Sequence, residues 1–458
     1  MFSADKFLGK VTGAPAVILD KSIVTSKQIS RTLIPKKQLG QAKEYWKTLG
    51  PGLTTGAADD DPSGITTYSQ AGAQFGFNFL WLSAYTFPLM AIIQEMCARI
   101  GLVTGRGLAA NIRQYYPKWV LYIAASLLFF ANTLNIGADL GAMAKATQLL
   151  VPRVSFTSLI LGFTIITLAL QIFTTYEKYA KYLKWLALVL LSYVFSALTV
   201  DINWNEVLQK AVIPTIVFSK DQIFLVTAVL GTTISPYLFF WQTSQEVEEE
   251  ILSGKTTLKL RQEETTPAEV KSMRLDVWSG MFLSNLVMFF IIAACAATLF
   301  ATGVTNITSA AEAAEALRPI AGERVYLLFA LGIIGTGMLA VPILAGSASY
   351  ALSESFGWKF GLYRKLKEAN SFYGVIIIST GIGLAINFLG FDPIKALIYS
   401  AVVNGLIAPV ILILIVLMSG NQKIMGRWVN GKISTALGWL IVTLMTLAGA
   451  ATIVSMFI

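Results

Sequence analysis

Apolar residues run along this chain in long blocks of eighteen or more, separated by short stretches that hold most of the charge. Eleven blocks can be delimited, at about 51–75, 77–102, 119–150, 154–174, 180–200, 221–247, 276–302, 324–355, 372–391, 394–418 and 435–457. A helix needs about 20 apolar residues to cross the roughly 30 Å hydrocarbon core of a bilayer, so each block predicts one membrane span. None alternates apolar and polar residues with a period of two, as the strands of a membrane barrel must. The pattern therefore predicts an all-α integral membrane protein with about eleven transmembrane helices and the lipid bilayer as its solvent. The polar stretch 1–49 lacks the apolar core of a signal peptide and reads as a tail.

Composition agrees: of 458 residues, 55% are hydrophobic and only 13% charged, about half the charged share of a soluble domain. Most of the 35 Lys and Arg fall in stretches 6–47, 99–118, 178–184, 255–274, 359–367 and 423–432. Those stretches share one side if the spans alternate. The positive-inside rule makes that side cytoplasmic and places the N-terminus there. The net charge of +9 then marks a membrane face and calls for no nucleic-acid partner. Cys97 and Cys295 both fall within spans, where packing is the expected role and a disulfide is not. The chain has no histidine, so a ligand must meet oxygen, sulfur or backbone groups.

Two spans carry an interruption. The first reads TTGAADDDPSGITT at 54–67 and breaks at Pro62; the sixth reads GTTISPYLFFWQ at 231–242 and breaks at Pro236. They lie five spans apart and enter the membrane from opposite sides. That is the signature of an inverted repeat of five plus five helices whose first members are unwound near mid-membrane. The expected organisation is a tail at 1–49, a first repeat at 50–200, a second at 221–418 and a last span at 435–458. Two ordinary proline kinks are the plainer reading. The matched positions and the acidic cluster favour a site where freed carbonyls and amides line a protected cavity. Ionised carboxylates within a span need a partner or a polar cavity. Neither broken span contains Lys or Arg, so Asp59, Asp60 and Asp61 point to a cation. Asp61, beside the proline, is the expected ligand, with Asp59 and Asp60 along the approach. Three carboxylates this close do not all ionise cheaply without a cation.

These residues also carry a resemblance. GPGLTTGAADDDPSGITTYSQAGA at 50–73 resembles the first helix of the Nramp divalent-metal transporters, whose pattern is GPG…DPGN…QAGA. ARIGLVTGRGLA at 98–109 and GADLGAMA at 137–144 resemble that family's second-helix end and third helix. GTTISPYLFFWQTS at 231–244 falls where the family has A-x-x-M-P-H. The similarity runs from about residue 45 to 420. It implies the LeuT-type fold and a metal site at the two breaks, built here from Asp61, Gly64, Thr232 and Ser235. It also implies a polar pathway through Ser63, Tyr237, Gln242, Asp139 and Asn404.

The departures from the family have a direction. Its Gly and Asn after Asp-Pro are Ser63 and Gly64, its metal-binding Met is Ser235, and its carbonyl-donating Ala is Thr232. Its two histidines are Tyr237 and Gln242, the Glu near Asp139 is Ala142, and its tenth-helix Gln is Ala401, beside Ser400 and Asn404. Loss of the thioether removes the soft ligand for Mn²⁺ or Fe²⁺, and the smaller side chains are expected to widen the cavity. An oxygen-lined, roomier site suits Mg²⁺, which sheds water reluctantly. The chain thus resembles the divergent Nramp-related magnesium transporters. The expected substrate is hydrated Mg²⁺, with Mn²⁺ also carried. Loss of the His and Glu groups predicts transport without proton coupling. No cofactor is expected, and the expected location is a prokaryotic plasma (inner) membrane; nothing fixes the oligomeric state, and a monomer is compatible.

Each residue has a plainer reading. Ser235 and Thr232 can back-bond within a helix, Asp139 can cap a neighbouring helix, and Asn404 can bridge helices. Glu95 is expected to pair with Arg99, one turn on. The run Glu246, Glu248, Glu249 and Glu250 is expected to be a solvated helix extension. Two other functions compete: a same-fold transporter of an organic cation or amino acid, and an intramembrane aspartyl enzyme built on Asp61 and Asp139. The enzyme leaves the paired breaks unexplained.

Overall fold

All the apolar blocks fall on helices, and no strand occurs among the described residues. The computed structural model describes residues 44–215, 219–263, 265–305, 307, 313–314, 322–390 and 393–455. Residues up to Leu49 form a unit of their own; of it, only the short helix at 44–48 and Leu49 are described, so the tail expected there lies almost wholly outside the described residues.

In the unit from Gly50 onward, α1 (Pro51–Asp59) and α2 (Pro62–Phe75) make the first broken span. A 3-10 turn leads into α3 (Leu80–Thr104), followed by the short α4 (Leu108–Tyr115). Next come α5 (Lys118–Leu150), α6 (Phe156–Phe173), and α7 (Tyr176–Leu186) continued by α8 (Leu191–Leu198). The short α9 (Trp204–Val212) precedes the second broken span, α10 (Lys220–Thr233) and α11 (Pro236–Leu252). Then follow α12 (Leu258–Glu263), α13 (Pro267–Thr298), α14 (Glu323–Phe356), α15 (Asn370–Ile386) and α16 (Pro393–Ser419). The single turn α17 (Gln422–Met425) and α18 (Lys432–Ser455) end the chain. Among the described residues nine helical stretches are long and apolar enough to cross a membrane. One of them, Pro62–Thr104, joins α2 and α3, and α15 is a shorter apolar helix.

Proline alone does not make a break. Pro88, Pro342 and Pro409 sit inside continuous helices. Pro62 and Pro236 instead stand at the first position of a new helix, where the missing N–H costs nothing and the fixed φ suits the turn. What separates the two cases is the residue before: Asp61 and Ser235 are extended and occupy the N-cap. The helix α13 starts nine residues earlier than its apolar block, where Thr266 and Glu269 form a reciprocal capping box.

Both broken spans lean on glycine contacts. A Cβ on Gly56 would lie 2.3 Å from the Gly280 backbone of α13, and one on Gly231 2.1 Å from the Ala401 carbonyl of α16. Side chains there would force the helices apart, so small residues set the approach. Asp276 of α13 fixes the start of α1: its carboxylate accepts the N–H groups of Gly50, Gly52 and Leu53 at 2.7, 2.7 and 3.1 Å.

The glutamates at the end of α11 are not a solvated extension. Glu246, Glu248 and Glu250 are buried. Glu248 accepts from the Tyr350 hydroxyl and from the Leu362 and Tyr363 N–H groups; Glu249 accepts from the Tyr176 hydroxyl. Lys255 is clamped between Glu250 and Glu269 at 3.3 and 2.7 Å. Burial alone would lower its pKa; the two carboxylates outweigh it and hold the ammonium above its usual range. Glu95 does meet Arg99, at 3.6 Å, and also pairs with Arg274 and accepts from the Trp278 indole.

Candidate functional site

The first break is built by its own aspartates. Asp60 ends α1, and Asp61 turns extended and caps α2, its Oδ1 accepting the Gly64 N–H at 2.7 Å. This is an ordinary N-cap bond, and the α2 N-terminus also favours a negative charge there. The other oxygen, Oδ2, reaches across the bundle. It accepts from the Asn135 side-chain amide of α5 at 3.0 Å and from the Tyr237 hydroxyl of α11 at 3.4 Å. The Tyr237 hydroxyl makes its shorter bond, 2.7 Å, to the Ala58 carbonyl at the end of α1. The Ser400 hydroxyl of α16 donates to Asn135 Oδ1. One hydrogen-bonded line thus runs from α16 through α5 to Asp61, and α11 closes it from the other side.

Asp59 accepts from the Ser284 hydroxyl of α13 at 2.7 Å. Both carboxylate oxygens of Asp60, both of Asp139 and Oδ1 of Asp59 lack a hydrogen-bond partner among the described residues, and all three residues are fully buried. Asp139 lies one helical turn beyond Asn135 on α5 and within Coulombic reach of Asp61.

The second break is neutral. The Ser235 hydroxyl donates to the Gly231 and Thr232 carbonyls at 2.7 and 2.8 Å, the back-bonded arrangement that helix geometry favours. Its oxygen lone pairs remain available. Thr232 faces Gly64 across the two breaks: a Cβ on Gly64 would sit 3.2 Å from Thr232 Oγ1 and 2.9 Å from the Asp59 carbonyl. The position is therefore tightly packed, and the extra room expected from a glycine is not found around it in this conformation. Asp61 and Ser235 are 1% exposed and Thr232 3%, so the breaks are shut off from both faces.

The structure brings Asp61, Gly64, Thr232 and Tyr237 together, with Ser235 at the neighbouring N-cap. Ser63 is buried beside them in the first turn of α2. Gln242 is not at the break: it lies almost two turns along α11 and donates to Glu246 at 2.8 Å. Asn404 is buried on α16 one turn beyond Ser400, with Oδ1 unpartnered among the described residues. The motifs do not point to Asn135 or Ser284. The one available signal for Asn135 is its four-residue spacing from Asp139, which places both on one helix face. Among the described residues no three His, Cys, Asp or Glu side chains converge as a metal cage. The donors at hand are one carboxylate plus hydroxyl, amide and carbonyl oxygens, a set for a hard cation that keeps part of its water.

The comparisons with known proteins agree with this architecture. Residues 52–455 match the family described as Nramp, natural resistance-associated macrophage protein-like. The chain belongs to the Nramp family. The divalent metal cation transporter MntH of Aeromonas hydrophila is 25% identical over 420 residues, covering 89% of this chain and 95% of that protein. MntH of Pectobacterium carotovorum is 26% identical over 407 residues, covering 86% and 91%. Among solved structures, the manganese transporter of Eremococcus coleocola superposes with a TM-score of 0.70 at 19% identity, covering 89% of this chain and 86% of that one. Mhp1, a nucleobase-cation-symport-1 family transporter, superposes with a TM-score of 0.50 at 15% identity, covering 89% and 91%. The fold is thus the all-helical LeuT type, an inverted repeat of five plus five helices with its first and sixth spans broken.

Proposed function

We propose that this chain is a secondary transporter, not an enzyme, which moves a divalent cation into the cytoplasm by alternating access. Hydrated Mg²⁺ is its main substrate and Mn²⁺ a second one. The divalent cation rests on membership of the Nramp family and on relatives named as divalent metal cation transporters. The finer reading rests on Asp61: a buried carboxylate at a helix break, whose partners Gly64, Asn135 and Tyr237 all donate hydrogen bonds and none carries a charge. Its negative charge is left for a cation. A single carboxylate with neutral oxygens around it fits Mg²⁺, which usually keeps several waters and takes one or two carboxylates. The absence of histidine from the sequence and the alanine at 142 support transport without proton coupling, driven by membrane potential and gradient. The basic loops support a cytoplasmic N-terminus in an inner membrane. Repeats at 50–200 and 221–418 would each contribute one broken span to the site, with 435–458 outside them.

The test is uptake into proteoliposomes of Mg²⁺, Mn²⁺ and Ca²⁺ side by side, with an amino acid and an organic cation as competitors. Mg²⁺ accumulation that the organic solutes leave unchanged supports the proposal. No flux of any divalent cation, with competition by an organic solute, overturns it in favour of a non-metal substrate.

A further inference from the structure

At the basic end of the bundle, a cavity of about 520 Å³ opens between the α3–α4 loop, the end of α11, α12 and the segment after α14. Its size lies within the range of small-molecule sites. The helix α1 contributes no residue to its lining, which sets it apart from the first break. Ser235 at the second break lies thirteen residues from Glu248 along α11, roughly 20 Å at helical rise.

The lining holds three guanidinium groups, Arg106, Arg113 and Arg261, and two carboxylates, Glu248 and Glu354. The carboxylates are already committed. Glu248 takes three donors from Tyr350, Leu362 and Tyr363, and Glu354 takes the Ala110 N–H at 2.9 Å and the Ser244 hydroxyl at 3.4 Å. Arg261 is spent on the carbonyls of Gly105, Lys255 and Thr256. Arg113 makes one long bond, 3.5 Å, to the Glu354 carbonyl. The Arg106 guanidinium has no hydrogen-bond or ion-pair partner among the described residues, although its side chain is half-buried. It also borders a second cavity of about 540 Å³ lined by Lys423 and Arg427.

Apart from the neutral Gln114 amide and Tyr363 hydroxyl, the uncommitted groups of the cavity are cationic. A transported cation would be repelled there, and a neutral solute would leave the charges unmatched. Guanidinium forks match phosphate oxygens two at a time. The remaining wall is aromatic, with Trp358, Phe360 and Tyr363, a surface on which a planar ring can stack.

We propose that this cavity binds a phosphate-bearing anion through Arg106 and Arg113. Held by Arg106 and Arg113 of the α3–α4 loop and α4, the anion fills the space against the end of α11 and the segment after α14, and by occupying it restrains the inner half of the second broken span and slows transport. The shared chemistry is the phosphate; its source is a free nucleotide or the headgroup of an anionic lipid. The inference adopts the cytoplasmic assignment of the basic face proposed above.

The experiment is calorimetric titration of the purified full-length protein in detergent, free of divalent cations, with ATP and separately with inorganic pyrophosphate. A second arm compares Mg²⁺ uptake in vesicles of phosphatidylcholine alone with vesicles containing phosphatidylglycerol. Arg106→Gln and Arg113→Gln are each expected to weaken soluble-phosphate binding about tenfold, the worth of one charge-assisted bond. The double variant should abolish it while leaving uptake in phosphatidylcholine within about twofold of wild type. If ATP and pyrophosphate do not bind but phosphatidylglycerol slows uptake, and the double variant removes that effect, the headgroup is the source and the site stands. No binding and no lipid effect in folded wild type overturns the site, as does binding or a lipid effect that the double variant leaves unchanged. The titration contains no transported ion, and the lipid arm is scored only with a cation that the wild type carries in phosphatidylcholine, so failure of the magnesium reading would not mimic failure of this one.

Discussion

At the first break three consecutive carboxylates meet the unwound chain; at the second, Thr232 and Ser235 offer only hydroxyls and carbonyls. Asp61 faces outward from its helix end and collects donors from α5 and α11, while Ser235 turns its proton back onto Gly231 and Thr232. The two ends of the broken spans away from the breaks, the start of α1 and the end of α11, are anchored differently as well. The start of α1 hangs on one carboxylate, Asp276, through three backbone N–H groups. The end of α11 is held by buried Glu248, bonded to the Tyr350 hydroxyl and two loop amides, and by half-buried Glu249, bonded to the Tyr176 hydroxyl. Under the proposed function the contrast divides the labour: the first break would supply charge, and the second neutral oxygen and shape. Substitutions at matched places should therefore have unmatched effects.

The largest effect is expected at Asp61. Asp61→Ala should reduce divalent-cation uptake to background in a protein that stays folded and monodisperse but melts lower, since it loses the Gly64 cap bond and leaves the Asn135 amide without its acceptor. Ser235→Ala, at the equivalent N-cap, should keep most of the flux. Equal losses in the two variants would erase the distinction between the breaks.

Next is the pair Ser235→Met with Gly64→Asn, which puts a thioether and an amide at the breaks. Mg²⁺ uptake should fall at least about tenfold, since a crowded site demands costly dehydration, and Mn²⁺ or Cd²⁺ binding should persist or rise. Each single variant should shift selectivity in part, because the two positions face one space and couple. Gly64→Asn alone should also destabilise the closed form, given the 2.9 Å approach of a Cβ to the Asp59 carbonyl. Unchanged Mg²⁺ uptake in a folded double variant would show that selectivity is set elsewhere.

Asp276→Ala leaves three helix-start donors without their acceptor. A loss of about 3 kcal/mol in stability is expected, read as a lower melting temperature in detergent. No change in melting would mean that the glycine contacts with α13 alone hold α1.

The smallest effect belongs to Tyr237→Phe. The hydroxyl reaches Asp61 only at 3.4 Å and spends its better bond on Ala58. Its removal should weaken apparent affinity by a few-fold, in line with about 1 kcal/mol for one hydrogen bond. A loss as large as that of Asp61→Ala would make Tyr237 a principal ligand.

Much of this site is legible in the amino-acid sequence. Span positions follow from apolar length, and both breaks follow from a proline preceded by a capping residue. Asp61 stands out because a carboxylate in a span needs a reason. The partners do not follow. Asn135 is an ordinary polar residue in a long helix until α5 is placed beside the break. Asp276 lies 226 residues from the Gly50 N–H that it accepts, a pairing no local period reveals. Glu246, Glu248, Glu249 and Glu250 read as a solvated run because sequence shows their charge and hides the amides, hydroxyls and the Lys255 ammonium that satisfy it. Gln242 matches a family position by register, yet almost two turns of α11 carry it away from the break toward Glu246.

One measurement bears most directly on the central claim, that a divalent cation alone passes the site. Proteoliposomes loaded with both a magnesium indicator and a pH indicator are given external Mg²⁺ under an inside-negative potential. The account predicts a rising magnesium signal with a flat pH trace. A lumen that acidifies only when Mg²⁺ is supplied would contradict uncoupled transport, and a flat magnesium trace from folded protein would contradict Mg²⁺ as the substrate.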